Sequence, residues 1–228
     1  MRIRVLASGA KGNCYSVSDG ETSLLLECGI HQKQITAELC QMGVPGIDAC
    51  LVSHEHNDHS KAVKDLIELG VPCYMSYATA EALGVAGKPG ITELGPGGWL
   101  PIGSWLVVPF PDIPDAKGPF GFVLHSGEET LLYASGMVCM PPVITGITHL
   151  MMDYSMKEEV YVGDTDRQPK HRVMWNHQSL EAVLKYVRKI DRSKLQELYL
   201  LHLSDNNSDK VEFQKAVGAA TGARVHVT

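Results

Sequence analysis

The run His54-Glu55-His56-Asn57-Asp58-His59 places four metal-ligating side chains within six residues, directly after the apolar run Cys50-Leu51-Val52. An apolar stretch of that kind reads as a buried strand, so the ligand run stands on the loop that leaves it. Alternation along an extended chain sends His54 and His56 to the same side. Asp58 and His59 follow at the start of an amphipathic segment, residues 61–69, and converge from its first helical turn. Two neutral imidazoles and a carboxylate–imidazole pair suit a divalent ion such as zinc, or two ions sharing a cleft. A solvated polar loop could carry the same residue types, but their clustering behind a buried strand favours the metal.

A chain of 228 residues can bury a substantial core, and α/β chains of this length commonly form one domain, here taken as residues 1–228. The formal net charge of −6 argues against broad binding of nucleic acid or membrane driven by overall charge, while leaving room for a local basic patch. The first residues, Met1 to Leu6, lack the apolar core of a signal peptide, and no apolar stretch reaches membrane-spanning length. A cytoplasmic protein without membrane contact is expected. None of the six cysteines sits in a Cys-x-x-Cys pair, and most lie in apolar surroundings, which predicts buried free thiols rather than a disulfide framework.

Apolar and alternating runs predict strands over residues 2–7, 14–18, 22–27 and 49–53, with a helix over 32–42 stopped by Gly43. A strand over 73–76 and a small helix over 78–83 follow the ligand run. From Gly84 to Pro119 the composition shifts toward Gly and Pro, with one strand-like stretch at 105–108. Residues 120–125 and 130–134 form a hairpin pattern, and 147–152 is a further apolar strand. Ser179 is a candidate N-cap for a helix over 180–190; a buried strand over 198–203, a helix opening at Asp209 and a strand over 224–227 complete the chain. Strands first, then helix–strand alternation in each half, fit an α/β sandwich: two mixed sheets inside and helices outside.

These residues resemble a known family. The His-x-His-x-Asp-His run on a strand-to-helix loop is similar to the signature of the metallo-β-lactamase superfamily. The stretches Leu6-Ala7-Ser8-Gly9-Ala10-Lys11-Gly12-Asn13-Cys14, Leu24-Leu25-Leu26-Glu27-Cys28-Gly29 and Leu201-His202-Leu203-Ser204-Asp205-Asn206-Asn207 resemble its YycJ-type (WalJ) branch. The resemblance implies an αββα sandwich with a metal cleft at one edge of the sheets, and hydrolysis of a phosphodiester such as DNA by a metal-activated water. It implies one or two Zn²⁺ ions, with Mn²⁺ as an alternative. His54 and His56 would hold one ion; Asp58 and His59 would hold a second, joined by His202. Glu27 stands where the family usually has an aspartate that orients the ligand loop.

Two ligands implied by the resemblance are replaced. Pro114 occupies a position where a histidine is expected, in the loop from Phe110 to Ala116, and Ser135 that of a bridging aspartate. Asp112 or Asp115 could fill the first gap, although turn carboxylates at such places are common. An active mononuclear enzyme, a rearranged binuclear site and a degenerate metal-binding module all stay open, as does hydrolysis of a small ester, lactone or thioester. Asp58 would also orient the attacking water. His177, just before a helix, is a candidate proton donor to the leaving group, and the basic stretch Arg167, Lys170, His171 and Arg172 could guide a phosphodiester. The Ser8–Asn13 loop lacks the Gly-Lys-Ser/Thr ending of a phosphate cradle and reads as a tight turn.

Overall fold

The computed structural model describes residues 1–111, 118–135, 141–153, 180–201 and 210–228. Its strands form two sheets. The first runs in spatial order β1 (Arg2–Ala7), β2 (Cys14–Ser18), β3 (Ser23–Leu26), β4 (Ala49–Leu51), β5 (Cys73–Ser76) and β6 (Ile91–Leu94). The second runs β13 (Arg224–Val227), β12 (Glu197–Leu201), β11 (His149–Asp153), β10 (Glu129–Ala134), β9 (Phe120–Ser126), β8 (Trp105–Pro111) and β7 (Leu100–Ile102). Each sheet is mixed in the same way. β1–β2–β3 and β7–β8–β9–β10 are antiparallel meanders, whereas β3–β4–β5–β6 and β10–β11–β12–β13 are parallel.

Apolar residues on both faces of the central strands explain the layering. In β3, Leu24 and Leu26 enter the core between the sheets, while Leu25 joins the core beneath the helices. In β10, Leu131 and Tyr133 face the first of these cores and Leu132 and Ala134 the helix side. Strands covered on both faces read as continuous apolar runs. Helices α1 (Gln32–Gln41), α2 (Asn57–Ser60), α3 (Val63–Glu68) and α4 (Tyr77–Ala82) fall in the connections of the first sheet; α5 (Leu180–Lys189) and α6 (Lys210–Thr221) belong to the second. The expected αββα sandwich is therefore the observed architecture.

Several expected boundaries shift for identifiable reasons. The strand expected over 22–27 stops at Leu26 because Glu27 turns into the left-handed region at φ 62°. The strand expected over 49–53 pairs only as far as Leu51. The amphipathic segment is split into α2 and α3, since the His59 carbonyl accepts from Cys28 N–H (2.8 Å) and Ala62 N–H donates to the Cys28 carbonyl (2.9 Å). β6 and β7 lie hidden in the Gly/Pro-rich stretch; they are edge strands, and Pro101 is tolerated at such an edge. Among the described residues no helix is long and apolar enough to cross a membrane. The five described cysteines are free thiols, four of them buried and Cys40 exposed.

At the end of β2 remote from the ligand run, Asp19 staples the two sheets. Its carboxylate accepts from Glu21 N–H (3.0 Å) and Thr22 N–H (2.9 Å) in its own turn, and from the hydroxyls of Ser126 (2.7 Å) and Ser104 in the second sheet. Partial burial opposes ionisation, yet these donors hold the carboxyl at about 2, below its ordinary 3.8. A depressed carboxyl contributes stability above its unfolded value and loses it as pH falls through the folded one. Asp19→Asn is expected to cost roughly 1–2 kcal/mol at neutral pH after solvent screening. The gap to the parent should close as pH drops toward about 2, as urea unfolding across that range would show.

Candidate metal centre

The described ligand residues gather where the parallel half of the first sheet meets the mouth of the inter-sheet core. β4 ends at Leu51, so the approach of His54 and His56 is made by the loop beyond it rather than by strand alternation. His54 Nε2 lies 3.2 Å from His56 Nδ1, with ring centroids 4.6 Å apart. Two nitrogens on one tetrahedral ion at about 2.0–2.1 Å stand about 3.3 Å apart, so this pair has the spacing of a shared ion. Asp58 Oδ2 and His59 Nε2 are 3.5 Å apart, a second pair of comparable bite. The His54 and His59 rings, 4.1 Å between centroids, set the two pairs side by side. Imidazole and carboxylate donors of this kind suit zinc or manganese. Among the described residues, no three His, Cys, Asp or Glu side chains converge closely enough to hold an ion by themselves.

The groups behind these donors set their orientation. Ser53 Oγ lies 2.7 Å from His54 Nδ1, which turns Nε2 toward His56. Glu27 Oε1 lies 3.5 Å from His59 Nδ1, which turns that ring's Nε2 toward Asp58. Contacts to the far ring nitrogen fix tautomer and ring direction in metal sites. Burial lowers the affinity of the His59 ring for a proton, but the charges of Glu27, Asp58 and Asp153 together raise its pKa above the ordinary value. His59 is buried, whereas the Asp58 side chain keeps 30% of its exposure and faces solvent.

Glu27 accepts from Ser53 N–H (3.1 Å) and from the Tyr133 hydroxyl of β10 (2.8 Å), and it is fully buried. It therefore occupies the orienting position that the resemblance implies. Its left-handed backbone is an unfavourable conformation for a non-glycine residue, with a cost on the order of 1–3 kcal/mol.

Asn13, at the end of the glycine loop, was legible only as part of a turn. Its Oδ1 accepts from Gly9 N–H (3.0 Å) and the Tyr15 hydroxyl (3.0 Å), so its amide NH₂ must face the Asp58 carbonyl (3.3 Å) and His59 Nε2 (3.3 Å). Asn13 N–H donates to the same carbonyl at 2.7 Å. Gly29 explains why the loops can pack so closely: a Cβ there would stand 1.7 Å from the Asp58 carbonyl oxygen. A glycine following Cys28 offers no sequence signal for such an approach, nor does the sequence show that Tyr133 reaches Glu27 from the other sheet.

Ser135 immediately follows β10, buried, and its hydroxyl donates to Asp153 Oδ2 at 3.0 Å. His202, His177, Pro114, Asp112, Asp115 and the basic stretch Arg167, Lys170, His171 and Arg172 lie outside the described residues. Of the remaining histidines, His31 and His125 are exposed and His149 is buried. Gly29→Ala should displace the Asp58 segment. The expected result is a loss of at least about tenfold in Zn²⁺ affinity by calorimetry, with a lowered melting temperature.

A family model described as a beta-lactamase superfamily domain matches residues 22–203. The exodeoxyribonuclease WalJ of Streptococcus pneumoniae is 33% identical over 85 residues, which covers 36% of this chain and 32% of that protein. The match thus spans about a third of that relative's length. The exodeoxyribonuclease YycJ of Bacillus anthracis is 25% identical over an alignment covering 100% of this chain and 95% of that one. Among solved structures, the metallo-β-lactamase fold protein YhfI of Bacillus subtilis superposes with a TM-score of 0.75 at 17% identity, covering 99% of this chain and 95% of that one. With the family model matching most of its length and the αββα sandwich in place, the chain belongs to the beta-lactamase superfamily and has the metallo-β-lactamase fold.

Proposed function

We propose that this chain is a metal-dependent phosphodiesterase that acts on nucleic acid. The observation that carries the reading is the pair of donor pairs, His54 with His56 at 3.2 Å and Asp58 with His59 at 3.5 Å, side by side at the cleft. His54 and His56 would hold one divalent ion, and Asp58 and His59 a second with His202. Zn²⁺ is the first choice on donor chemistry and Mn²⁺ the alternative. Such an ion supplies Lewis acidity and lowers the pKa of water at neutral pH. The names of the two relatives, both exodeoxyribonucleases, support a DNA substrate over a small ester.

The chain's own residues divide the remaining work. Ser53 and Glu27 hold the two buried rings in one direction each, so little reorganisation is needed when substrate arrives. Asp58, the half-open member of the set, is the group that orients the attacking water. His177 serves as proton donor to the leaving oxygen, and the stretch from Arg167 to Arg172 receives the phosphate backbone.

The purified chain loaded with Zn²⁺ or Mn²⁺ is expected to cleave a chromogenic phosphodiester and DNA, to leave a carboxylic ester untouched, and to lose activity with chelator. Replacing His54 and His56 together by Ala should remove both the activity and part of the bound metal, while the circular dichroism spectrum stays that of the parent. Unchanged metal content by elemental analysis in that double variant would overturn the assignment.

A further inference from the structure

The turn Gly9-Ala10-Lys11-Gly12 is built against the ligand run, and its tip takes no part in the chemistry proposed above. Gly12 N–H donates to the Gly9 carbonyl at 3.0 Å, which closes the turn. Both of its ends are clamped. After it, Asn13 donates to the Asp58 carbonyl through its backbone N–H (2.7 Å) and its amide (3.3 Å), and Gly29 N–H donates to the Asn13 carbonyl (2.8 Å). A Cβ on Gly12 would stand 2.5 Å from the Gly29 carbonyl oxygen, so no side chain separates the turn from the segment that follows Glu27. Before it, Ser8 Oγ lies 2.8 Å from Thr228 Oγ1, and Thr228 N–H donates to the Leu200 carbonyl at 3.1 Å. Leu200 is the penultimate residue of β12, the strand that precedes His202. The turn is therefore held between the Asp58 segment and the strand end that leads to His202.

What the clamped turn presents to solvent is a cation. Ala10 and Lys11 are exposed, whereas Gly12 and Asn13 are buried. Among the described residues, none accepts from the Ala10 or Lys11 N–H. Successive backbone N–H groups in a turn make a concavity that suits an anion, and the Lys11 ammonium adds a full charge beside them. The need for such a group is electrostatic. The chain carries a formal −6, and Glu27 and Asp58 both flank the His59 ring, so a polyanion entering this cleft requires local cations. Two residues of chain span at most about 7 Å, which keeps Lys11 close to the Asp58 segment that Asn13 grips. Along one strand of a duplex, phosphates follow one another at about 3.4 Å of rise, so this reach covers phosphates adjoining the one at the metal.

We propose that the tip of this turn, the Lys11 ammonium with the Ala10 and Lys11 N–H groups, is a phosphate contact that positions a nucleic-acid strand across the cleft by a phosphate next to the one being cut. This rests on the phosphodiesterase reading above. Lys11 is a positioning residue: it holds the strand and does not touch the reacting atoms. Contact with the backbone alone makes the subsite blind to base sequence.

Steady-state cleavage of a DNA oligonucleotide and of a chromogenic phosphodiester by the Zn²⁺- or Mn²⁺-loaded chain, over a range of salt, tests this. DNA binding by fluorescence anisotropy in chelator, where nothing is cut, supplies a second readout. Lys11→Ala is expected to raise KM for DNA and weaken binding by roughly tenfold at low salt, with kcat unchanged, and to lower the slope of log affinity against log salt by about 1. Lys11→Arg should restore both. The chromogenic diester has no second phosphate, so Lys11→Ala should turn it over as the parent does. Lys194, exposed and placed before β12 at the end opposite His202, is the control, and Lys194→Ala should behave as the parent on DNA. A parent-like KM and salt slope in Lys11→Ala, or an equal change in Lys194→Ala, overturns the role of Lys11 and leaves the phosphodiesterase reading standing. Loss of chromogenic turnover in Lys11→Ala does the same, because it puts the effect at the reacting phosphate or in the fold. A parent that cuts the chromogenic diester but neither binds nor cuts DNA overturns the nucleic-acid substrate and this inference with it. A parent that cuts neither overturns the phosphodiesterase reading itself.

Discussion

The buried carboxylate of Glu27 is the contact on which the rest of the cleft depends. It joins three parts of the chain that are far apart in sequence: the loop after β4 through Ser53 N–H, the second sheet through the Tyr133 hydroxyl, and the ligand run through His59. A fully buried acid is tolerable only when its oxygens are engaged, and here the engagement also orders the site. The left-handed backbone at Glu27 is what aims the side chain across the sandwich instead of along β3. Backbone strain held in place by surrounding contacts is a common feature of functional sites.

Around that carboxylate the donors are arranged in depth. His54 and His59 are buried and each is touched on its far nitrogen, while Asp58 remains half open to solvent. The glycine loop closes the arrangement from the other side. Asn13 grips the Asp58 carbonyl with both its backbone and its amide, and Gly29 lets the two segments approach within a distance that no side chain could share. The site is therefore assembled from backbone contacts as much as from donor groups, and its acidic character follows from Glu27 and Asp58, each 3.5 Å from a nitrogen of the His59 ring.

Much of the fold was legible in the order of apolar runs. The triple Leu24-Leu25-Leu26 reads as a strand covered on both faces, and both cores use it. β6 and β7 escaped because edge strands carry little apolar pattern and here contain Pro101 and a Gly-rich approach. The split between α2 and α3 escaped for another reason. Cys28 takes over the hydrogen bonds that would have continued the helix, and a partner so far upstream leaves no trace in local periodicity. The ligand run itself was plain, but its geometry was not: β4 ends before Ser53, and the pairing of His54 with His56 belongs to the loop.

What the sequence determined by itself is the layered architecture and the candidate donors, because both are written in local spacing: apolar pairs that alternate between two faces, and four residues of metal-ligating type within six positions. What only the tertiary structure decided is who stands behind those donors. Tyr133, Asn13 and Gly29 come from three separate segments, and they stand behind the ligand run, Tyr133 through Glu27, only because the two sheets pack face to face and the glycine loop folds onto the Asp58 segment. Local pattern reports what each strand buries. It carries no record of which strand ends are brought together, and that juxtaposition is where the chemistry of this cleft is set.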